Sequence, residues 1–365
     1  MEDNLELERW MKLIVKKILK RIKGYIFIII PFTRFTITRY KINKDTLKYI
    51  SKKQKVNVIK LFIDYMISSY CLGCTQNDYI CLGLYRLNNS FKRKYVLTRQ
   101  NDSFSRFYNG CATKKEREIF KNKGEFNRTF ERYVKRKSLV CNDIIETKTF
   151  IENTKRFFAK PIDLCGGEGI KLYEDVEDID ALATTFVKDG YLLEECLKQH
   201  NDLSKLNESS INTIRPTVIK SKNGDIKWLS CVLRVGKKGS IIDNLSKGGV
   251  MYPVDIVSGK ISGPGYDKYG NTYINHPDSN IFMLGFQIPN WEIVRDSINY
   301  CMSIISGIRM VGWDICIQED GIELIEGNIQ PGPNTFQIDH IPKREYIFKK
   351  LIKMEKTGES NVKNK

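Results

Sequence analysis

Histidine is scarce in this sequence, with three among 365 residues. His200, His276 and His340 are too dispersed along the chain to indicate a metal site or a proton relay. No Gly-x-Ser-x-Gly motif and no persuasive order of serine, histidine and aspartate is present, which argues against a serine hydrolase. The glycine-rich stretch after Lys160 is not followed by Gly-Lys-Ser or Gly-Lys-Thr and lacks Gly-x-Gly-x-x-Gly spacing, which excludes a Walker A loop and a dinucleotide-binding fingerprint.

The ten cysteines are scattered singly, apart from Cys71 and Cys74. Because no second pair and no close histidine accompanies them, we expect reduced thiols here and not a zinc site. No secretory leader is visible, so we expect a cytoplasmic, reducing compartment. The longest apolar run, Tyr25 to Phe32, is interrupted by Pro31 and is far shorter than the roughly 20 residues that cross a bilayer. We therefore do not expect a transmembrane protein.

Positive charge is concentrated early in the chain. The formal net charge is +17, and residues 1–60 contain 16 lysines and arginines against 5 acidic residues. Apolar spacing predicts a basic amphipathic helix over residues 5–23. Residues 5–32 could contact the inner face of a membrane peripherally, or the helix could pack against its own domain. Nucleic-acid binding is the weaker alternative, because no recognised binding module accompanies the charge.

Short β-type runs separated by turn residues predict strands at 157–160, 191–194, 214–220, 226–235, 240–243, 312–318 and 322–326. Helices are predicted at 45–70, 177–188 and 291–308. The highly charged segment 114–137 has aromatic residues at helical spacing and is also predicted to be helical, with the solvated face that is typical of charge runs.

The last two predicted strands carry oxygen side chains where a core strand would carry aliphatic ones. Asp314 stands on the first of them, and Glu326 and Asn328 stand on the second. Burying such groups among isoleucine and leucine is costly unless their charge is compensated. Magnesium accepts carboxylate and amide oxygens and keeps positions for phosphate oxygens. These three residues therefore predict a metal site that would carry nucleotide phosphates.

The length of the turn decides whether these three side chains share a face. Directly opposed residues of an antiparallel ladder lie on the same face. A two-residue turn would place Asp314 opposite Gly327, on the wrong face. A three-residue loop over residues 319–321 would place Asp314 opposite Glu326. We therefore predict the three-residue loop.

Lys160 closes a predicted strand, and Gly166, Gly167 and Gly169 follow in a glycine-rich turn. An ammonium group and several backbone N–H groups at such a turn can surround phosphate oxygens. A plain glycine-rich hairpin turn is the alternative interpretation, so this pattern is a hypothesis about phosphate binding.

Further candidates stand at other predicted strands. Glu194 and Glu195 lie where a strand leaves the core, and they could read an adenine edge and ribose hydroxyls or be ordinary exposed acids. Arg215 and Arg234 lie within strands, where a guanidinium indicates bidentate binding of an anion. Asn244 lies in a flexible turn that ends in a glycine pair.

Taken in chain order, these residues resemble the ATP-grasp ligases. The residues that carry the resemblance are Lys160-Pro161, Gly166-Gly167-Glu168-Gly169, Glu194-Glu195, Arg234, Asn244 with Gly248-Gly249, Asp314, and Glu326-Gly327-Asn328 with Pro331-Gly332. Finer detail resembles the sugar-transfer-associated branch, related to α-L-glutamate ligases. The finer matches are Gln199-His200, residues 210–215, Asp243-Asn244 with the glycine pair, His276-Pro277, residues 285–291 and Gly312-Trp313-Asp314. The resemblance spans about residues 110–335.

The resemblance implies an α+β ATP-grasp fold, in which two subdomains clasp ATP, with one or two Mg²⁺ ions. The phosphate contacts would come from Lys123 and Lys160, although the family's Asp-Lys appears here as Asn122-Lys123. The adenine and ribose pocket would be lined by Glu194, Glu195 and Leu197, with one of His200, Asn201 or Asp202 reaching the ribose. The catalytic residues would be Arg215, Arg234 and Asn244. The metal ligands would be Asp314, Glu326 and Asn328.

The same resemblance implies a domain organisation and an activity. We expect a basic, largely helical region at 1–110, ATP-grasp subdomains at 111–190 and 191–350, and a flexible tail at 351–365. The implied activity is ATP- and Mg-dependent ligation of a carboxylate to an amine through an acyl phosphate, on small-molecule or glycan substrates of cell-surface polysaccharide biosynthesis. An ATP-dependent kinase on the same fold is the alternative.

Overall fold

The computed structural model of the protein describes residues 44–162 and 169–357. The predicted basic helix, the predicted membrane contact and the residues Gly166 and Gly167 lie outside these ranges. The chain divides into two compact units, residues 1–66 and 67–365. Within the described ranges, no helix is both long and apolar enough to cross a membrane.

Helices form the first described part of the chain. The first unit contains α1 (Lys44–Gln54) and the beginning of α2 (Val58–Leu72). The second unit continues with α3 (Gln76–Cys81), a 3₁₀ turn (Leu84–Arg86), α4 (Asn89–Lys92), α5 (Thr98–Asn109), α6 (Lys114–Ile119) and α7 (Lys123–Thr129). The side chain of Asn109 fixes the end of α5, because its Nδ2 donates to the carbonyl oxygens of Met310 and Ile329 at 2.8 Å each.

The charged segment predicted as a solvated helix is two short helices, and its buried aromatic side chains are Phe126 in α7 and Phe130 directly after α7. Asn122 caps α7, since its Oδ1 accepts hydrogen bonds from the backbone of the first turn. Phe120, Phe126 and Phe130 surround Trp313, with ring centroids 5.8, 6.3 and 5.1 Å from the indole. This aromatic cluster anchors the segment beside the strand that carries Asp314.

A four-stranded antiparallel sheet has the spatial order β1-β4-β2-β3. Its strands are β1 (Ser138–Val140), β2 (Arg156–Pro161), β3 (Lys171–Glu174) and β4 (Tyr191–Glu195). Helices α8 (Ile144–Asn153) and α9 (Ile179–Asp189) cover one face, where Phe157 and Phe186 are buried. Because side chains alternate along a strand, Lys160 and Glu194 lie on the opposite face.

A seven-stranded antiparallel sheet has the order β11-β10-β5-β6-β7-β8-β9. Its strands are β5 (Ile214–Lys220), β6 (Ile226–Val235), β7 (Val250–Val254), β8 (Gly265–Tyr266), β9 (Thr272–Tyr273), β10 (Met310–Gln318) and β11 (Gly321–Asn328). The short helix α10 (Asn201–Ser204) precedes the sheet, and α11 (Trp291–Ser303) contributes Val294 and Ile298 to its core. A π-helical segment (Glu345–Leu351) and α12 (Ile352–Thr357) complete the described chain.

Most predicted strands are confirmed, and β5 and β6 have the predicted bounds. The strand predicted at 240–243 is wrong, since this segment is a loop and the next strand is β7. Asp243 explains the difference. Its carboxylate accepts from the backbone N–H of Thr213 at 2.9 Å and from Arg234 at 2.6 Å, which bends the segment toward β5 and β6.

The turn between β10 and β11 differs from the prediction. Gln318 pairs with Gly321, so the loop has two residues and the predicted three-residue loop is wrong. Continued without interruption, this register would place Ile325 opposite Asp314 and would direct Glu326 to the other face of the sheet.

A β-bulge restores the predicted pairing by a different route. Ile315 pairs with Leu324, whereas the neighbouring Asp314 pairs with Glu326, so β11 contains one extra residue at this point. Such a bulge shifts every later residue of the strand by one position and thereby exchanges the faces. The predicted opposition of Asp314 and Glu326 is therefore present in the structure.

Candidate functional site

A buried carboxylate forms the centre of the candidate site. The carboxylate of Asp314 on β10 accepts hydrogen bonds from Nε and Nη2 of Arg215 on β5. It also lies 3.4 Å from Nη1 of Arg234 on β6. The three residues belong to adjacent strands, and the pleat directs them to one face of the sheet. Burial alone would raise the pKa of Asp314, but the two guanidinium groups lower it to about 2.

Arg234 is held from two sides. Its Nη2 donates to Asp243 Oδ1 at 2.6 Å and to Asn244 Oδ1 at 3.0 Å, while Nη1 faces Asp314. Burial alone would lower the pKa of Arg234, but the carboxylates of Asp243 and Asp314 raise it above its usual value. Its Nε is buried and has no hydrogen-bond partner among the described residues. A buried N–H donor without a partner, next to two arginines that are paired with carboxylates, fits an anionic ligand such as a phosphoryl group.

Glu326 and Asn328 stand beside this centre at the outer strand of the sheet. The Glu326 side chain is 57% exposed, and its Oε1 lies 3.6 Å from Nη2 of Arg215. Desolvation, and after it the Asp314 carboxylate, raises the pKa of Glu326. Asn328 lies opposite Gly312, where a Cβ atom would come within 2.8 Å of the Pro331 ring. Glycine is therefore required for this close approach.

The chemistry of these donors fits a hard cation. Asp314, Glu326 and Asn328 offer only oxygen atoms, and two carboxylates that face each other gain from a shared positive ion. In the described part of the chain, no group of three or more histidine, cysteine and acidic side chains is arranged to hold a metal. A magnesium ion here would therefore rely on two carboxylates, one amide and the oxygens of its substrate.

A second charged group lies on the face of the small sheet that is opposite α8 and α9. The Lys160 ammonium contacts the carboxylate of Glu194, which is 4% exposed. Burial opposes ionisation, but Lys160 and Arg136 together lower the pKa of Glu194 to about 2. Glu195 is half-buried, and its Oε2 accepts from the backbone of Lys137 at 3.1 Å.

Arg136 connects the charged group of the small sheet to strand β11, and the sequence did not reveal it. Its side chain is 4% exposed and reaches Glu194 at 2.7 Å and Glu323 of β11 at 3.0 Å. It also donates to the carbonyl oxygens of Leu324, at 2.6 Å, and Ile325, at 3.3 Å, inside the bulge. Arg136 stands in a run of three basic residues, a pattern typical of a solvated face, so its sequence context carried no signal.

A comparison with known protein families assigns the segment that contains most of these site residues. Residues 181–356 match the family described as sugar-transfer associated ATP-grasp. This stretch belongs to that family. The ATP-grasp segment contains Glu194, both arginines, Asn244 and the three predicted metal ligands, whereas Lys160 and Arg136 precede it. The predicted family and the α+β class are thereby confirmed.

Several solved structures are similar to the chain at low identity. The ATP-grasp ligase PsnB, complexed with minimal precursor, Mg and ADP, is 14% identical, with a TM-score of 0.37 over 61% of this chain and 53% of PsnB. D-alanyl-alanine synthetase A from Vibrio cholerae O1 biovar eltor str. N16961 is 12% identical, with a TM-score of 0.42 over 67% and 66% of the two chains. The chain thus spans about half the length of PsnB. No curated protein matches the sequence.

The remaining candidates in and around the ATP-grasp segment lie at helix ends and loops. Lys123 is the half-buried first residue of α7, Gly169 is exposed with a φ of 74°, and Leu197 is half-buried after β4. His200 caps α10, where its Nδ1 accepts from the backbone of Asp202 at 3.1 Å. Its Nε2 faces Glu319 at 3.3 Å, so the hairpin tip holds His200 in place.

Proposed function

We propose that the protein is an ATP- and Mg-dependent ligase that joins a carboxylate to an amine through an acyl phosphate. The observation that carries this proposal is the convergence of Arg215, Arg234, Asp314 and Glu326 on one face of three adjacent strands and the bulged edge strand. Phosphoryl transfer depends on positioning and on the neutralisation of charge, and it needs no protein nucleophile. Membership of the ATP-grasp family supports the same chemistry.

In the first step, the carboxylate oxygen of the substrate attacks the γ-phosphorus of ATP and ADP leaves. Arg215 and Arg234 neutralise charge on the transferred group, and Asn244 holds Arg234 in position. Lys160 binds nucleotide phosphates, while Glu194, Glu195 and Leu197 line the nucleotide pocket. Asp314, Glu326 and Asn328 would hold Mg²⁺, whose contribution is to neutralise phosphate oxygens.

In the second step, the amine attacks the acyl carbon, the C–O bond to phosphate breaks and inorganic phosphate leaves. The amine loses a proton and the product is an amide. No group with the geometry of a covalent nucleophile is required in either step, because the leaving groups are ADP and phosphate. We assign this activity to the assembly or modification of a cell-surface polysaccharide, in keeping with the description of the family.

A screen for ADP release tests the proposal. The full chain is incubated with ATP and Mg²⁺ and with sugar acids and amino acids crossed against amino sugars and other amines. We expect ADP release that requires a carboxylate and an amine together and that yields one phosphate per ADP. ADP release with a hydroxyl compound alone, and transfer of phosphate to it, would instead identify a kinase and overturn the ligase proposal.

A further inference from the structure

Arg215 pairs with two of the side chains that are predicted to bind the metal. Its Nε and Nη2 groups donate to the two oxygens of Asp314, and Nη2 also lies 3.6 Å from Oε1 of Glu326. In the described part of the chain, these carboxylates are its ion-pair partners. A guanidinium that neutralises two carboxylates in this way takes the place of a cation. Arg215 and a metal ion therefore compete for Asp314 and Glu326.

The oxygens of Asp314 are engaged by two arginines. An ionised carboxylate has about four positions at which it can accept a hydrogen bond. Arg215 donates to both oxygens, and Nη1 of Arg234 lies 3.4 Å from each of them. The Asp314 side chain is 5% exposed, so it has little free surface for another partner. Binding of a metal ion therefore requires that one arginine release Asp314.

The contacts of the two arginines indicate that Arg215 is the one that can move. Arg234 is held by residues outside the predicted metal site, since its Nη2 donates to Asp243 at 2.6 Å and to Asn244 at 3.0 Å. Asp243 is itself fixed by the backbone N–H of Thr213 at 2.9 Å. The described ion-pair partners of Arg215, in contrast, are two metal ligands. A metal ion that binds these ligands therefore releases Arg215 and leaves Arg234 in place.

The charges explain why a free metal ion is a poor replacement for Arg215. If the ion binds the two carboxylates, the guanidinium loses its anionic partners while its side chain is only 14% exposed, and it then faces a divalent cation. Charges of like sign repel at short distance, and a charge buried without a partner is unfavourable. A phosphate group offsets both effects, because a guanidinium binds phosphate through two parallel N–H···O bonds. The exchange is thus balanced when the metal arrives with phosphate.

We propose, on the basis of the ligase function above, that Arg215 regulates the metal site. Without nucleotide, Arg215 occupies Asp314 and Glu326 and lowers their affinity for a divalent ion. When the complex of metal and triphosphate binds, the two carboxylates pass to the metal and Arg215 passes to the phosphate oxygens. The site therefore accepts the metal together with the triphosphate and discriminates against the free ion.

Binding of Mn²⁺ to the nucleotide-free full chain tests the proposal, with the EPR signal of unbound Mn²⁺ as the measurement. We expect Arg215→Met to bind Mn²⁺ at least about tenfold more tightly than the wild type, within the roughly 5- to 150-fold range that is typical of coupled sites. The gain should disappear when Glu326→Gln is added to Arg215→Met. Arg128→Met is the matched control, because it removes the same charge from an exposed surface position, and it should bind Mn²⁺ like the wild type.

Arg215→Lys guards against misfolding of the methionine variant, which circular dichroism would detect. Lysine keeps the positive charge but lacks the two-pronged geometry of the guanidinium. This variant should therefore also bind Mn²⁺ more tightly than the wild type, by a smaller factor. Wild-type Mn²⁺ affinity in the folded Arg215 variants, or a gain that survives Glu326→Gln, would overturn the proposal.

Metal binding and ADP release separate this proposal from the ligase function. If no acid and amine give ADP release but Arg215→Met gains Mn²⁺ affinity, the ligase proposal fails and the exchange at the metal site stands. ADP release by the wild type, without a gain of Mn²⁺ affinity in the Arg215 variants, refutes the exchange alone.

Discussion

Replacing Arg136 with methionine removes a cation from between two buried carboxylates. The wild-type guanidinium contacts Glu194 and Glu323 and donates to the carbonyl oxygens of Leu324 and Ile325. Removing one partner of a buried ion pair costs about 3–5 kcal/mol. Glu194 keeps Lys160, and Glu323 keeps backbone N–H groups at 3.0 and 3.1 Å. We therefore expect the free energy of unfolding to fall by about 3–4 kcal/mol, in the lower part of that range.

Urea denaturation followed by tryptophan fluorescence measures this loss. Arg128→Met is the matched control, because Arg128 pairs with Glu125 on the surface of α7 and its side chain is 74% exposed. A surface pair contributes about 0–1 kcal/mol. A loss below about 1 kcal/mol for Arg136→Met, no larger than that of the control, would show that Arg136 does not carry the buried network and would refute the reasoning.

Arg136→Met should also impair the chemistry beyond its effect on stability. Arg136 binds both carbonyl groups of the bulge, and the bulge alone brings Glu326 opposite Asp314. We expect ADP release to fall even under conditions where circular dichroism shows the variant to be folded. Full turnover by the folded variant would mean that the bulge persists without its arginine.

Three further predictions concern the charged groups. Glu326→Gln should abolish ADP release and leave the melting temperature nearly unchanged, because the side chain is 57% exposed; near-normal ADP production would exclude Glu326 from the metal site. Lys160→Ala should weaken nucleotide binding in calorimetry, and unchanged affinity would remove Lys160 from the phosphate contacts. The pKa values of Glu194 and Asp314 are both lowered to about 2 from 4.5 and 3.8, so their contribution to stability is fully present above about pH 5 and is lost as the pH falls toward 2. Urea denaturation at pH 3 and pH 6 should therefore show a lower free energy of unfolding at pH 3, and equal values would contradict the ion pairs assigned to these two carboxylates.

Local sequence patterns predicted many elements of the fold. The bounds of β5 and β6 follow from β-type composition and turn residues, and Arg215 and Arg234 could be placed on them without a structure. The chain order of polar residues also predicted the ATP-grasp family that residues 181–356 match. These features were readable because each depends on residues that are close in sequence or on a recognisable order of motifs.

The pairing of Asp314 with Glu326 was predicted for the wrong reason. The sequence pattern indicates that the two acids share a face of the sheet. It does not show whether the additional residue needed for this pairing lies in the loop or in a bulge of β11. The structure assigns that role to a bulge at Ile325, whose carbonyl oxygen receives Arg136 from a segment 189 residues away. Contacts of such sequence separation leave no periodic trace, which is also why Arg136 was missed.

The sequence by itself determined which side chains are available for chemistry: oxygen ligands on two neighbouring strands, arginines on two more, and a lysine ahead of a glycine-rich turn. Tertiary structure decided which of them meet and with what charge. The fold places Asp314 between two arginines and Glu194 between Lys160 and Arg136. Only such contacts lower the pKa values of Asp314 and Glu194. The physical reason is that electrostatic interactions depend on distances and desolvation in space, which the order of residues along a chain does not specify.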